Sequence, residues 1–551
     1  MALRTPDRNQ EVAPARPPIR RWLSVDRHTL WLLVLLTAVF FVLIAVRFLV
    51  APLDRFDEGV TLLKADLAAA GWVPYRDFWI TYGPLDTYLL AGAFKLFGAS
   101  VLVERAMGIV LAWAFSLVAY RLMASVGLRR GLRILMTGLI GLVPVSVAAF
   151  NSSFLVNLIG LCALLAFLHS VKNNEWRWPA IAGVLTGVAS FSRPEFAASL
   201  AVGLLAGYIV LVLRGRRASR KNLLPYAAAG LLTASILWAP TLIAAGIQPM
   251  VNQLFVYAVR LYPMARSIPI GQGTDGTAVI VFACGFALVW IWGAVHLYRH
   301  RTEPDEVARV LALLLTGLLI FTWVRTRADG AHALNAWPPT AVLLAMLMQP
   351  RASTIRLRPR FDAVMAVAGC LLLLAGVSAL AYRDLSRSTG SGSQLDRAQL
   401  VGDSSWMPEG QLAALVARVD QAVPAGRPIF VGLRRNDQGL FNDAMLYFLT
   451  ARRPGTVYFE FLPGFSSSEG VQRTVACQLQ ASGTALAVLG PNSAGEPWNA
   501  SARTGSSYLD EWLLQHSVQA AEVNGYELLQ LDLPEGRSGP ASWGACGLAP
   551  E

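Results

Sequence analysis

The chain is poor in charge for its length. Of its 551 residues only 15% are charged, whereas 55% are hydrophobic, and the mean hydropathy is +0.47. Soluble chains carry about 25% charged and about 45–50% apolar residues. The shortage of charge excludes a plain cytosolic enzyme and a disordered protein, and it favours a protein embedded in a membrane.

Cysteine is also scarce. Only five cysteines are present, and no CxxC or Cys/His spacing of a zinc site occurs. This excludes a disulfide-stapled secreted scaffold and argues against structural zinc. Cys477 and Cys546 lie in the polar carboxyl-terminal part, where a disulfide is possible. No segment of 20–50 residues repeats visibly, which argues against a solenoid or a duplicated transporter.

The net charge of +12 is divided unevenly along the chain. Residues 383–551 contain 12 Arg, no Lys and 17 Asp or Glu, a net charge of −5, so residues 1–382 carry +17. The basic residues cluster between hydrophobic runs, most densely in Arg214–Lys221. Such clusters are typical of the inner side of a membrane. No nucleic-acid-binding motif accompanies them, so we expect no nucleic-acid partner.

Hydrophobic runs long enough to cross a bilayer predict eleven transmembrane helices. The runs are 29–50, 101–124, 132–150, 153–170, 178–192, 196–213, 223–246, 277–297, 307–324, 334–349 and 362–382. Basic residues are concentrated in alternate loops when the amino end lies in the cytoplasm, which places the carboxyl-terminal part outside. We therefore expect a multi-pass protein of the cytoplasmic (inner) membrane. High Ala, Arg and Gly with only four Lys indicates a bacterial source.

The chain divides into four segments. We predict a cytoplasmic segment 1–28, a membrane domain 29–382 with a long outer loop 51–100, a Ser/Gly-rich linker 383–400, and an extracytoplasmic domain 401–551. In the last segment, predicted strands 427–433, 456–461, 485–490 and 526–531 alternate with helical patterns at 409–421, 442–450, 469–481 and 508–516. The fold class is thus an α-helical polytopic membrane protein with a carboxyl-terminal extracytoplasmic α/β domain.

The outer loop 51–100 carries an acidic pair, Asp57-Glu58. Helical spacing predicts one helix from Gly59 to Ala70 and another from Pro84 to Gly98, both lying on the membrane surface. Asp57 could simply cap the first helix while Glu58 complements its dipole. Alternatively the pair is catalytic. Adjacent side chains in loop backbone point apart, so one carboxylate would face the substrate and the other would orient it or help to bind a metal.

The ordered motifs of this loop resemble the first outer loop of GT-C glycosyltransferases. The motifs are Asp57-Glu58-Gly59, then Gly71-x-x-Pro74-Tyr75-Arg76-Asp77-Phe78-Trp79, then Tyr82-Gly83-Pro84-Leu85, then Phe94-Lys95-Leu96-Phe97-Gly98. The similarity is greatest to bacterial relatives of protein O-mannosyltransferases and of lipid A aminoarabinose transferases. It implies a GT-C-like fold, a catalytic Asp-Glu motif, and a donor sugar linked to a lipid phosphate. Arg76, Asp77 and Tyr82 would position the substrate.

Two further polar clusters lie at the predicted outer ends of spans. Arg193-Pro194-Glu195 interrupts an apolar stretch, and its Arg and Glu could simply pair with each other in a tight turn. Arg325, Arg327, Asp329 and His332 fall within eight residues. Charge at this depth is costly, and Arg binds phosphate bidentately, so we expect both clusters to contribute donor-phosphate ligands, with Glu195 as a positioning residue.

These expectations describe a membrane glycosyltransferase that works at the outer face of the cytoplasmic membrane. We expect the transfer to invert the anomeric configuration, with Asp57 as the base for the acceptor hydroxyl. Its partners would be a polyprenyl-phosphate sugar donor, a lipid, glycan or protein acceptor, and membrane lipids. A divalent cation bound by Asp57 or Glu58 is left open, and no other cofactor is required. The alternative is a polytopic transporter of a lipid-linked or small anionic substrate, with as many spans and buried charges.

Overall fold

The computed structural model describes residues 49, 51–141, 150–173, 175–215, 217–349, 359–385, 395–398, 402–404, 407–424, 426–438, 440–493, 495–536, 543 and 546. These residues belong to one compact unit, Arg47–Glu551. The predicted segment 1–28 and nearly all of the first predicted span, 29–50, lie outside the described residues.

Helices occupy every predicted span from 101–124 onward. In chain order the helices are α1 Asp57–Ala69, α2 Leu85–Phe97, α3 Val101–Ser125, α4 Arg130–Gly141, α5 Ser152–Asn173, α6 Arg177–Ser192, α7 Pro194–Leu213, α8 Arg217–Ala245, α9 Ile247–Val251, a π-helix Asn252–Leu261, α10 Tyr262–Arg266, α11 Gly276–Arg299, α12 Pro304–Val324, α13 Gly330–Leu334, α14 Trp337–Leu347, α15 Pro359–Leu385, α16 Glu409–Ala422, α17 Met445–Leu449, α18 Glu469–Ser482 and α19 Tyr508–Gln515. Of the described helices, six are long and apolar enough to cross a membrane. The total of eleven crossings stays a prediction.

The two helices predicted in the outer loop are present. Helix α1 ends at Ala69 before Gly71, whose φ is +91°, and α2 follows Pro84 and ends before Gly98, whose φ is +87°. Their position on the membrane surface stays a prediction. The apolar residues of α1 are buried, with Leu62 0% exposed, where α1 packs against α2 and against α17 of the carboxyl-terminal domain. Only α2 keeps an exposed apolar end.

The carboxyl-terminal domain contains a four-stranded sheet. Its strands are β3 Ile429–Leu433, β4 Leu486–Gly490, β5 Ser517–Val523 and β6 Tyr526–Leu531, in the order β3-β4-β6-β5. Strands β3 and β4 pair in parallel, and the other two neighbouring pairs are antiparallel. A disulfide joins Cys477 on α18 to Cys546. The α/β character predicted for this domain is therefore observed.

The predicted strand at 456–461 is wrong. The segment is irregular, and each of its residues is buried. Its backbone bonds to other elements instead of a sheet: Trp79 N donates to Val457 O at 3.1 Å, and Asn442 Nδ2 donates to Phe459 O at 2.8 Å. β-branched and aromatic residues favour strands because they fit a packed surface. Here the packed surface is the outer loop.

The outer loop and the carboxyl-terminal domain are joined along their length. Strand β1, Pro52–Leu53, pairs in parallel with β2, Gly402–Ser404. Met445 N donates to Arg55 O at 3.0 Å, and Arg397 forms an ion pair with Asp66 at 3.1 Å. Arg397 belongs to the predicted linker, so this end of the linker is packed against α1.

Substitution of Gly59 tests how closely α1 packs against α17. A Cβ at Gly59 would overlap the backbone of Met445, whereas a Cβ at Gly92 on α2 would meet no atom within 4 Å. We expect Gly59→Ala to lower the free energy of unfolding by about 1–3 kcal/mol, as overpacking does. We expect Gly92→Ala, the matched control, to raise it by about 0.5–1 kcal/mol. Thermal unfolding of both variants in detergent measures this, and equal midpoints would contradict the packing described.

Candidate active site

A cavity of about 320 Å³ contains six of the eleven predicted site residues. Its walls come from the start of α1, the loop before α2, the start of α5, helices α10 and α13, and the irregular segment of the carboxyl-terminal domain. The charged and phenolic lining residues are Asp57, Lys64, Tyr82, Asp86, Arg193, Tyr257, Tyr262, Arg266, Arg327, Asp329, His332 and Glu460. Segments far apart in the sequence therefore meet at one site.

Asp57 is the first residue of α1, and it does not cap the helix. Asp54 does so: its Oδ1 accepts the backbone N–H groups of Phe56, Asp57 and Glu58 at 3.1, 2.7 and 3.4 Å. An N-terminal turn needs acceptors for its free N–H groups. Because Asp54 supplies them, the simple capping role considered for Asp57 is wrong, and its carboxylate is available to the cavity.

Glu58 points away from the cavity. It is 3% exposed, and its two oxygens accept from Arg105 Nε at 2.8 Å and from a terminal nitrogen of the same guanidinium at 3.1 Å. Arg105, on α3, is 1% exposed and also donates to the carbonyl of Ala51 at 2.6 Å. Adjacent carboxylates thus face opposite ways. Glu58 is a buried anchor of the loop and does not line the cavity.

The environment of Asp57 makes its carboxylate more basic than usual. Asp57 is exposed at the cavity, yet the protein packed around it desolvates its carboxylate and, with a smaller contribution from the nearby Asp54 charge, raises its pKa to about 6, while Arg266 opposes the shift. No hydrogen bond from the described residues reaches its side-chain oxygens. A carboxylate with these properties can accept a proton from a ligand near neutral pH.

The predicted Arg327, Asp329 and His332 form one bonded cluster at the cavity. Asp329 Oδ2 accepts from Arg327 Nε at 2.8 Å, and His332 Nδ1 lies 2.7 Å from Asp329 Oδ1, so that Nδ1 donates. Tyr262 Oη lies 3.2 Å from His332 Nε2. The His332 and Arg327 charges hold the pKa of Asp329 well below its usual range despite burial.

Arg327 also connects the cluster to the carboxyl-terminal domain. Its two terminal nitrogens each lie 3.2 Å from the carboxylate of Glu496, and one donates to Arg266 O at 2.8 Å. The Arg327 guanidinium is therefore saturated by protein acceptors. Its role in this structure is to hold Asp329 and Arg266 in place.

Arg193 lines the cavity but is paired, as the simpler prediction held. Its Nε donates to Glu195 at 2.7 Å, its NH1 contacts Ser153, and its guanidinium lies 4.2 Å from the centre of the Tyr82 ring. Glu195 itself is outside the cavity lining. The pair fixes Arg193 against Tyr82, so both side chains present a defined surface to the cavity.

Three other predicted residues also lie outside the cavity lining. Arg76 and Asp77 form an ion pair at 2.6 Å, and Asp77 accepts from Val73 N at 2.7 Å, which closes a tight loop. Arg325 is exposed at the end of α12. Arg76 and Asp77 therefore stabilise a local loop. Arg325 does not line the cavity.

Arg266 lines the cavity, although the sequence analysis assigned it no site role. It stacks over Phe441 of the carboxyl-terminal domain at 4.3 Å, and its Nε is buried without a hydrogen-bond partner. No ion pair to Arg266 occurs among the described residues. The Arg266 side chain is half-buried, so its buried Nε lacks an acceptor while the rest of its guanidinium remains accessible to a ligand in the cavity. Arg266 is one of two basic residues between the predicted spans 223–246 and 277–297, and the alternation of loops places this segment on the outer side, so its charge was the available signal.

A second group of lining residues was also missed. Lys64 on α1 forms an ion pair with Glu460 of the carboxyl-terminal domain. Asp86, in the first turn of α2, has one buried oxygen without a hydrogen-bond partner, and burial raises its pKa to about 6. Lys64 and Asp86 lie in the same loop as Asp57, so helical spacing gave no means of telling which charges face inward.

A metal ion fits these residues poorly. In the parts of the chain that the structure describes, no group of three or more His, Cys, Asp and Glu side chains could hold a metal ion. The predicted pair Asp57 and Glu58 in particular cannot share one, because Glu58 is bound to Arg105. The mechanism proposed for this site uses no metal ion.

Comparison with solved structures identifies the fold. The structure is similar to the crystal structure of ArnT from Cupriavidus metallidurans bound to undecaprenyl phosphate, with a TM-score of 0.53 and 14% identity over 92% of this chain and 98% of that one. It is similar to the apo Archaeoglobus fulgidus oligosaccharyltransferase, with a TM-score of 0.50 and 12% identity over 83% of this chain and 69% of that one. The chain has the GT-C glycosyltransferase fold.

The GT-C fold predicted from the outer-loop motifs is thus confirmed, and the six long apolar helices among the described residues support a membrane location. No family model matches the sequence, and no curated protein matches it. At such low identities the similarity concerns the fold, and the site must be judged from its own geometry.

The structure separates the roles of the two acidic neighbours, which substitution can test. Glu58→Gln removes one charge of a buried ion pair with Arg105, so we expect the free energy of unfolding to fall by about 3–5 kcal/mol. Asp57→Asn removes a charge that no protein group binds, so we expect unchanged or slightly increased stability. Thermal unfolding in detergent compares the two, and a larger loss in Asp57→Asn would refute the assignment.

Proposed function

We propose that the protein is a membrane glycosyltransferase that moves a sugar from a polyprenyl-phosphate donor to an acceptor hydroxyl. The observation that carries this proposal is the juxtaposition, in one cavity, of the unbonded Asp57 carboxylate and the unpaired Arg266 guanidinium. A transferase of this kind needs both a base for the acceptor and a cation for the leaving phosphate. The GT-C fold, which ArnT bound to undecaprenyl phosphate shares, supports the same function.

Asp57 acts as the base in this proposal. The acceptor oxygen attacks the anomeric carbon as its proton passes to the Asp57 carboxylate, and the bond from that carbon to the phosphate oxygen breaks. The polyprenyl phosphate leaves with the bonding electrons. A single in-line displacement inverts the anomeric configuration. Asp86 is a weaker candidate for the base, because it lies at the start of α2 with one oxygen enclosed.

Arg266 binds the leaving phosphate in this proposal. An anion there supplies an acceptor for the buried Nε of the half-buried Arg266 side chain, and the added negative charge of the transition state strengthens the contact. Arg193 and the His332–Asp329 pair border the same cavity and orient the phosphate and sugar. Arg327 positions the group through Asp329 and Arg266.

The proposal also specifies the side of the membrane on which the cavity lies. The cavity lies where the helices meet the carboxyl-terminal domain, which the charge distribution assigns to the outer face of the cytoplasmic membrane. The phosphate of the donor would then lie at headgroup depth and its isoprenoid tail among membrane lipids. The GT-C fold favours a transferase over the transporter that the sequence also allowed.

Asp57→Asn tests the base directly. We expect transfer to fall about 10²- to 10⁴-fold, because the amide cannot accept the proton. Purified protein in lipid nanodiscs, given a panel of labelled undecaprenyl-phosphate sugars and candidate lipid, glycan and peptide acceptors, provides the assay, with products identified by mass spectrometry. Asp66→Asn is the control, since Asp66 lies on the same helix but pairs with Arg397. Wild-type rates in Asp57→Asn would refute the mechanism.

The pH dependence of transfer tests the same group. The pKa of Asp57 is raised to about 6, so its basic form is lost as pH falls through that value. We expect the rate to be constant above about pH 7 and to fall about tenfold per unit well below pH 6. Because the pKa of Asp86 is also raised to about 6, the profile of Asp86→Asn separates the two. An inflection that disappears in Asp86→Asn would identify Asp86 as the base.

A further inference from the structure

A second hollow, of about 570 Å³, lies beside the candidate active site. One wall comes from Leu261, Met264, Ala265 and Ser267, and the other from residues 464–468 and 497–505 of the carboxyl-terminal domain. It shares no lining residue with the active-site cavity. The hollow therefore exists only where the carboxyl-terminal domain meets the segment around α10.

Helix α10 separates the two spaces. Tyr262 and Arg266, four residues apart, line the active-site cavity, whereas Leu261, Met264 and Ala265 line the second hollow. Residues four apart share one face of a helix, so the two sets occupy different faces. A helix with its side chains is about 10 Å across. The distance from a ligand bound in the hollow to Arg266 and the active-site cavity is consequently about one helix diameter.

The chemistry of the hollow suits a saccharide. Trp498 is 36% exposed and offers a flat apolar surface, and the hydroxyl-bearing residues Ser467, Ser468 and Thr504 surround it. Within the described residues, no group hydrogen-bonds the Trp498 indole N–H, the Thr504 hydroxyl or the Arg503 guanidinium. A sugar ring presents C–H groups on its face and hydroxyl groups at its edge. An aromatic plane with polar groups around it matches both.

The charge of the hollow differs from that of its domain. Residues 383–551 have a net charge of −5, yet no Asp or Glu lines the hollow, and Arg503 is its sole charged residue among those described. An acidic sugar is thus tolerated, and Arg503 would favour it. A positively charged ligand would have no Asp or Glu side chain in the lining of the hollow to pair with.

The Trp498 segment is held in place by bonds to the other wall. Asn499 Nδ2 donates to Ser267 O at 3.0 Å and to Glu496 at 2.5 Å, and Glu496 in turn binds Arg327. The hollow is therefore fixed by the same Glu496–Arg327 contact that borders the active site. The Glu496–Arg327 contact thus joins the wall of the hollow to the wall of the active-site cavity.

We propose that this hollow is a binding site for the saccharide portion of a glycan acceptor, with one sugar ring stacked on Trp498. The proposal rests on the proposed glycosyltransferase function. The reacting hydroxyl would extend past α10 toward Asp57. The carboxyl-terminal domain then selects the acceptor, while the cavity around Asp57 and Arg266 holds the donor.

The test measures saccharide binding and donor-lipid binding separately on the intact protein in nanodiscs. Saturation-transfer NMR with a panel of soluble neutral and uronate-containing oligosaccharides measures saccharide binding in the hollow. Titration with undecaprenyl phosphate measures donor-lipid binding in the active-site cavity. We expect Trp498→Ala to weaken saccharide binding about tenfold or more, as loss of an aromatic anchor does. We expect Trp498→Phe to restore most of it and Arg503→Ala to weaken the uronate-containing ligands selectively. Undecaprenyl phosphate affinity should not change in any of them.

Trp176→Ala is the matched control, since Trp176 is 64% exposed at the start of α6, outside both spaces. Oligosaccharide binding that persists in Trp498→Ala, or that is lost equally in Trp176→Ala, would overturn the proposal. So would the absence of binding to every member of the panel. The proposed function fails separately: Asp57→Asn that retains transfer would refute it even if Trp498-dependent saccharide binding is found.

Discussion

The buried ion pair between Glu58 and Arg105 determines how the outer loop presents its chemistry. It fixes the start of α1 to α3, and with Asp54 as the cap it leaves the Asp57 carboxylate without a hydrogen bond from the residues that the structure describes. Two adjacent carboxylates of the same chemical type thereby acquire different roles, one structural and one open to a ligand. Removing one partner of such a pair is costly, so the arrangement is rigid.

The carboxyl-terminal domain is part of the site. It supplies Glu460 to the cavity wall, Glu496 to Arg327 and the Phe441 ring beneath Arg266. It also covers α1, where Gly59 allows the backbone of Met445 to approach. The domain therefore shapes the cavity from one side while the membrane helices shape it from the other. This explains why α1 of the outer loop is buried.

The sequence predicted well those features that depend on local pattern. Hydrophobic runs located the helices, glycine and proline located the ends of α1 and α2, and the short spacing of Arg327, Asp329 and His332 was enough to predict that they act together. It failed where the answer depends on distant segments. The pairing of Glu58 with Arg105 and the approach of Arg266 to Asp57 arise from packing across more than forty residues of chain. The segment 456–461 has strand-forming residues but packs against the outer loop, a contact that local propensity does not contain.

The central claim is that Arg266 and Asp57 face one bound donor. A cryo-electron microscopy structure of the protein in nanodiscs with undecaprenyl phosphate tests it most directly. The account predicts a phosphate within about 2.7–2.9 Å of the Arg266 guanidinium, as charge-assisted hydrogen bonds require, on the side of the cavity facing Asp57. A phosphate ordered elsewhere on the protein, with Arg266 still unpaired, would contradict it.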